Sequence, residues 1–133
     1  MSLVEDKEAL REVVAKYCHY VDSGNIEAWL DLFTEDAVFD GGAKVGMHHG
    51  KAAFRVFNEH ITATLGPMSL RHSASNFIIS VVADRAHLSC YITVFHRADT
   101  GVELLDVAGY EMDLIKHDGH WLIKHLLLTP GLR

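Results

Sequence analysis

Residues 86–97 read AHLSCYITVFHR, and their character alternates residue by residue. One face carries Ala86, Leu88, Cys90, Ile92, Val94 and His96; the other carries His87, Ser89, Tyr91, Thr93, Phe95 and Arg97. Successive strand residues point to opposite sides of a sheet, so the first and more apolar face is the one turned toward a core. The same period extends in both directions. Strands are predicted at 69–82, 86–97, 103–116 and 120–129. Between them lie Ala83-Asp84, Ala98-Asp99-Thr100-Gly101 and His117-Asp118-Gly119, all of them turn chemistry. Three adjacent hairpins of this kind make a curled antiparallel meander.

Upstream of Pro67 the period is helical. Leu3, Leu10, Val13, Val14, Tyr17, Cys18 and Val21 fall on one stripe of a helix over 3–23, which Ser23-Gly24-Asn25 ends. A second helix is predicted at 26–33, a short strand at 37–40 after Thr34-Glu35-Asp36, a turn at Gly41-Gly42, and a third helix at about 51–64 that Gly66-Pro67 closes. Helices first and strands afterwards predict an α+β fold: three N-terminal helices packed into a curved mixed or antiparallel sheet, as one domain over residues 1–133.

Composition excludes several classes. The chain has 133 residues, 49% hydrophobic and 23% charged, which suits one globular domain with room for a pocket and argues against disorder. The formal charge of -6 leaves no basic face, so neither nucleic acid nor an anionic membrane is an expected partner. No apolar run approaches the roughly 20 residues of a membrane span. The acidic, amphipathic start MSLVEDKEALREVV does not read as a secretory leader. Cys18 and Cys90 stand alone and read as buried free thiols, which fits a reducing cytoplasm. Apolar residues on the outer sheet face predict a homo-oligomer, with dimer and trimer both open.

Several polar side chains fall on the inner faces. His96 points the same way as its aliphatic neighbours, and His72 shares a face with Ala74, Asn76, Ile78 and Val82. On the last strand Trp121, Ile123, His125 and Leu127 share a face, whereas both faces of 103–116, which includes Tyr110, are apolar and its inner side is unresolved. Asp22 sits at the C-terminal end of its helix, where a carboxylate meets negative partial charge; a histidine partner would compensate it. His48 and His49 are adjacent strand residues on opposite faces and make a poor pair of metal ligands. No phosphate-binding loop, dinucleotide fingerprint, nucleophile elbow or HExxH is present.

The segments YCHYVDSGNIEAWLDLFTEDAVFD, RHSASNFII and GYEMDLIKHDGHWLIKH together resemble the SnoaL-like branch of the nuclear-transport-factor-2-like superfamily, over about residues 5 to 128. Scytalone dehydratase, bile-acid 7α-dehydratase and hexachlorocyclohexane dehydrochlorinase are similar members. The resemblance implies a helix-lined cone and an Asp–His pair, here Asp22 and His72. It further implies a tyrosine five residues before the aspartate, Tyr17, and a second histidine on the next strand, His96. Scytalone dehydratase has a tyrosine after its second helix where this chain has Phe39 and Asp40. Ketosteroid isomerase, with a tyrosine where Tyr17 sits, carries its base near Asp40, one position out of register.

What the resemblance implies chemically is a lyase or isomerase that needs no cofactor and no metal and acts on a small, largely apolar, cyclic or carbonyl-bearing molecule. His72 would take a proton beside a carbonyl, Asp22 would orient it, and Tyr17 would bind the oxygen as enolate charge develops. His96 would protonate the leaving group. Asn76, Asp40, Phe39, Tyr110 and His125 complete the expected substrate-binding set. Two other readings of the same scaffold stay open: a non-catalytic ligand binder, and a structural subunit resembling the small subunit of ring-hydroxylating dioxygenases. A structural ion pair, a core tyrosine and a turn aspartate are the plainer readings of Asp22–His72, Tyr17 and Asp40.

Overall fold

The computed structural model describes residues 2–131. Helix α1 spans Leu3–Ser23. Ser2 caps it by accepting from the Glu5 amide at 3.1 Å, and Glu5 and Asp6 in the first turn suit the positive end of the helix. Gly24, at φ 75°, ends it in the left-handed conformation with its N–H on the Tyr20 and Val21 carbonyls. Leu10, Val13, Val14, Tyr17 and Cys18 form the buried stripe. Helix α2 covers only Ile26–Leu30.

The expected second helix is therefore too long and the expected first strand too short. Strand β1 runs Phe33–Asp40, and Phe33 already pairs with Ile123. The backbone turns at Leu32, whose carbonyl accepts from the Ile123 amide at 2.8 Å, so the sheet takes Phe33 before the helix can continue. Two short elements were not foreseen between 41 and 49: α3 at Gly42–Val45 and β2 at Met47–His49. Helix α4 follows at Gly50–Leu65, then β3 (Leu70–Val82), β4 (Arg85–Ala98), β5 (Gly101–His117) and β6 (His120–Pro130).

The six strands form one sheet in the order β2-β1-β6-β5-β4-β3. The β3–β6 meander and the β1–β2 pair are antiparallel; β1 joins β6 in parallel. This is an α+β fold with a mixed sheet, and the helices cover one side. Helix α1 lies against β3, and α4 against β1 and β2. On the covered side Ala86, Leu88, Cys90, Ile92 and Val94 are buried, as the alternation predicts. They meet Ala108, Tyr110, Met112 and Leu114 of β5, which settles the inner face of that strand, and Trp121, Ile123 and Leu126 of β6.

Two bulges overturn the predicted facing of Asn76, Ile78, Val82 and His125. The β3–β4 register shifts between Ser75 and Ile78, with Asn76 at φ 57°. Beyond this point Phe77, Ile79 and Val81 turn inward, while Asn76, Ile78 and Val82 are exposed. The β5–β6 register shifts between Asp113 and Leu114, which leaves Lys124 without a partner. Leu126 then takes the inner position, and His125 borders an outer hollow with Asp36, Val38 and Arg85. An inserted residue reverses every side chain after it. Neither Asn76 nor His125 therefore lines the inner cavity.

Candidate active site

Asp22 is carried by the last turn of α1 and His72 by the third residue of β3. The Asp22 carboxylate accepts twice from one residue. Oδ1 lies 2.6 Å from His72 Nδ1, and Oδ2 accepts from the His72 amide at 2.8 Å. Both side chains are only 10% exposed. The backbone contact fixes the carboxylate and the ring contact fixes the imidazole, so the misplaced helix-end aspartate is tied down by β3 rather than by its own helix. The Arg71 guanidinium stands 3.9 Å from Oδ2, at the edge of a cleft between α1 and β3 that Arg11 and His19 also line.

With Nδ1 taken, His72 has Nε2 left, and among the described residues that nitrogen has no hydrogen-bond partner. His72 borders an inner cavity of about 310 Å³, lined mainly by aliphatic and aromatic side chains. Tyr17, Trp29, Tyr110 and Phe39 give it a buried aromatic end. Tyr17 stands edge-on to Trp29, Phe33 and Tyr110 with ring centroids 5.6–6.1 Å apart. Burial pushes the Tyr17 phenol well above the ordinary tyrosine range; contacts with Tyr110 and Trp29 oppose that shift without cancelling it. The Tyr110 phenol is raised too, first by burial. Both are therefore neutral hydrogen-bond donors near pH 7.

The cavity thus brings together His72, Tyr17, Tyr110 and Phe39 of the expected set, with Asp22 behind the histidine. It leaves others out. His96 does not border it: Nε2 lies 3.2 Å from the Leu65 carbonyl and Nδ1 3.3 Å from Glu103 Oε1. Both partners are acceptors, so the ring ties the end of α4 to the β4–β5 hairpin and is not free to serve a leaving group. Asp40 accepts from the Gly42 amide at 3.0 Å, the behaviour of a turn aspartate.

Four polar groups on the cavity wall escaped the sequence reading: Trp29, Lys44, Asn58 and Asp106. Asp106 is one of two carboxylates in the run Val102–Ala108, with Glu103, and the bulge at Leu105, between the Val94 and Phe95 pairings, sets it opposite Val94. A charged residue embedded in an apolar strand was the available signal. It stayed mute because both faces of β5 are apolar. Trp29 reads as core, and it is; its indole Nε1 is buried and, among the described residues, has no hydrogen-bond partner.

Cys18, Cys90 and Asp6 are buried away from the cavity. Burial pushes the Cys18 thiol up to about 12 and the Cys90 thiol to about 11, and both are free. Asp6 accepts from Lys116 Nζ and Trp121 Nε1, each at 3.0 Å, and joins the start of α1 to the β5–β6 hairpin. Among the described residues no group of three His, Cys, Asp or Glu is placed to hold a metal ion, and no helix is long and apolar enough to cross a membrane.

Comparison with known proteins bears on this geometry. No curated protein matches the chain. A solved protein of unknown function from Mycobacterium tuberculosis superposes with a TM-score of 0.86 at 25% identity, over 100% of this chain and 78% of that one. A cystatin-like fold of unknown function from Nostoc punctiforme gives 0.84 at 24% identity, covering 96% and 92%. A protein provisionally named a scytalone dehydratase, from Novosphingobium aromaticivorans, gives 0.85 at 21% identity, covering 97% and 86%, a likeness of fold. The family model described as the SnoaL-like domain matches residues 2–126, and on that match the chain belongs to the SnoaL-like domain family.

Proposed function

We propose that this protein is a lyase or isomerase, needing no cofactor, that moves a proton beside a carbonyl in a small, mostly apolar, cyclic substrate. One observation carries the reading: Asp22 holds His72 through Nδ1 at 2.6 Å, and the unpartnered Nε2 belongs to a residue on the wall of an apolar cavity. A carboxylate on one ring nitrogen fixes the tautomer that presents the other as a base, and it stabilises the imidazolium that forms. Exclusion of water from the aromatic end strengthens that ion pair.

The steps balance without an added reagent. Nε2 takes the proton from the carbon next to the carbonyl, and the C–H electron pair moves into the enolate. Tyr17 donates to the enolate oxygen. Collapse of the enolate expels a hydroxide from the adjacent carbon, and the His72 imidazolium returns the proton to it as water. Delivery of the same proton to another carbon gives an isomerase instead. Asp106, on the same cavity, takes the place first given to His96 and accepts a hydrogen bond from the substrate hydroxyl.

The test is a screen of β-hydroxy ketones and chlorinated rings, followed by variants on any substrate found. His72→Ala should lower kcat by roughly a hundredfold or more while ligand still binds, the usual weight of a general base. Asp22→Asn should lower it too, because the ring is then no longer held by a carboxylate. Turnover unchanged in His72→Ala sinks the assignment. Binding without turnover of any candidate favours the ligand-binder reading.

Association through the sheet belongs to the same proposal. Ile78, Val82, Tyr91 and Leu104, 75%, 77%, 60% and 58% exposed, crowd the side of β3–β5 away from the helices. A second copy covering that face removes them from water.

A further inference from the structure

Behind the Asp22–His72 pair lies a second concavity. It is the cleft between α1 and the free edge of β3, about 630 Å³ in volume, and among the described residues it shares only His72 with the inner cavity. Its floor is largely apolar: Ala15 and Cys18 from α1, Ala74 and Phe77 from β3, and Met68. Its rim is cationic. The Arg11 guanidinium lies over the Phe77 ring, 5.8 Å from the centroid, which anchors a long side chain at the cleft. Arg71 and His19 stand on the same rim. In a chain of net charge -6 this is a local reversal of sign.

The donors there are open. Among the described residues Arg11 has no carboxylate partner, and Arg71 stands 3.9 Å from Asp22 Oδ2, too far for a hydrogen bond. Asp22 is the one carboxylate among the described residues on the cleft, and His72 already engages both of its oxygens. The backbone adds a donor. The His72 amide points away from β4 to reach Asp22, and the alternation of the ladder turns the Ala74 amide the same way. β3 is the last strand of the sheet, so that N–H has no strand partner. Guanidinium groups and an amide over an apolar floor suit an anion with an apolar body, and a carboxylate matches the guanidinium fork. An extended peptide fits less well. It would pair along the edge of β3, yet Asp22 occupies the His72 amide and the bulge at Asn76 interrupts that edge.

We propose that the α1–β3 cleft is a second ligand site, which takes a small organic carboxylate. The charge meets the arginines of the rim and the Ala74 amide, and the aromatic or aliphatic body lies on the apolar floor. The site goes beyond the proposed function and does not depend on it, because its occupant stays outside the inner cavity. It places a ligand on the far side of the aspartate that holds His72.

The experiment reads binding at the cleft, so it stands apart from turnover. Protein labelled with ¹⁵N is titrated with 4-fluorobenzoate and, separately, with 4-fluorobenzamide, which has the same ring and nearly the same shape but no charge. The Ala74 amide and the Arg11 and Arg71 Nε–H signals are followed, and Arg11→Gln and Arg71→Gln assign the last two. The Tyr110 and Asp106 amides report on the inner cavity. 4-Fluorobenzoate should move the Ala74, Arg11 and Arg71 signals saturably and leave those of Tyr110 and Asp106 in place. 4-Fluorobenzamide should move the cleft signals far less. Each arginine variant should raise the benzoate Kd roughly three- to tenfold, the usual weight of one charge-assisted contact at a partly exposed site. An unchanged amide spectrum away from the cleft shows that the variants are folded, and the comparison of the two probes on the unaltered protein stands without them. Equal binding of both probes, benzoate shifts confined to Tyr110 and Asp106, a Kd unchanged in both variants, or no saturable shift of the cleft signals overturns the proposal. Loss of turnover in His72→Ala bears on the base and leaves this site untouched.

Discussion

Asp22 shows how one side chain can serve two scales. Its Oδ2 holds the His72 amide, a contact between α1 and β3, while its Oδ1 holds the ring. Replacement by Ala removes both and leaves a buried amide unpaired; Asn keeps an acceptor for one of them. Asp22→Ala should therefore lose stability as well as activity, by about 1–3 kcal/mol in urea unfolding, whereas Asp22→Asn should lose mainly activity. Tyr17→Phe isolates the hydroxyl, since the ring packing against Trp29, Phe33 and Tyr110 survives. Its kcat should fall roughly a hundredfold with a nearly unchanged melting temperature. The pair was legible in the sequence because Asp22 breaks the charge preference of a helix end. Trp29 and Asp106 were not, since neither breaks a rule that can be seen without the cavity.

Among the elements, β3 is the most instructive. Its first residues alternate as the letters suggest, and His72 and Ala74 sit on the side toward α1. The bulge at Asn76 then reverses the strand, and β6 does the same at Lys124. A period-two reading follows a strand only as far as its ladder is regular, and a bulge is decided by the partner strand and the helices above. Asn76 carried a weak hint, since asparagine tolerates positive φ better than most residues. Asn76→Gly should leave the fold intact; Asn76→Val should destabilise it by about 1–2 kcal/mol in the same unfolding assay. Alternation was reliable on β4. There Leu88 is fully buried, and Leu88→Ala should cost about 2–5 kcal/mol.

The whole molecule adds a pH dependence. On the outer sheet face His87 Nδ1 lies 2.8 Å from Asp113 and Nε2 3.2 Å from Glu111. The Asp113 hydrogen bond above all raises its pKa from the usual 6.5, against a smaller opposing effect of burial. A raised folded pKa means that the stabilisation is fully present below the unfolded value near 6.5 and is lost as pH rises through the folded one. The melting temperature should fall across that window, and His87→Ala should flatten the fall. If the outer face is also the contact between copies, Ile78→Asp combined with Tyr91→Asp should shift the protein to a smaller species in sedimentation velocity. The α+β class, the four long strands and the buried cysteines followed from local pattern. The parallel β1–β6 join did not, because nothing within residues 33–40 indicates a partner so distant in sequence.

That join also bears on how the protein comes into being. Among the described residues β6 comes after every other strand in sequence, yet it sits in the interior of the sheet, between β1 and β5. While the chain leaves the ribosome, the β1–β2 pair and the β3–β5 meander can each assemble, but each exposes an unpaired edge where β6 will go. Closing the sheet must wait for residues 120–130, a long-range step of the kind that slows folding and leaves nascent chains open to edge-to-edge capture. A ribosome stalled before that segment emerges should hold a chain that proteases still cut, and one stalled well beyond it should not.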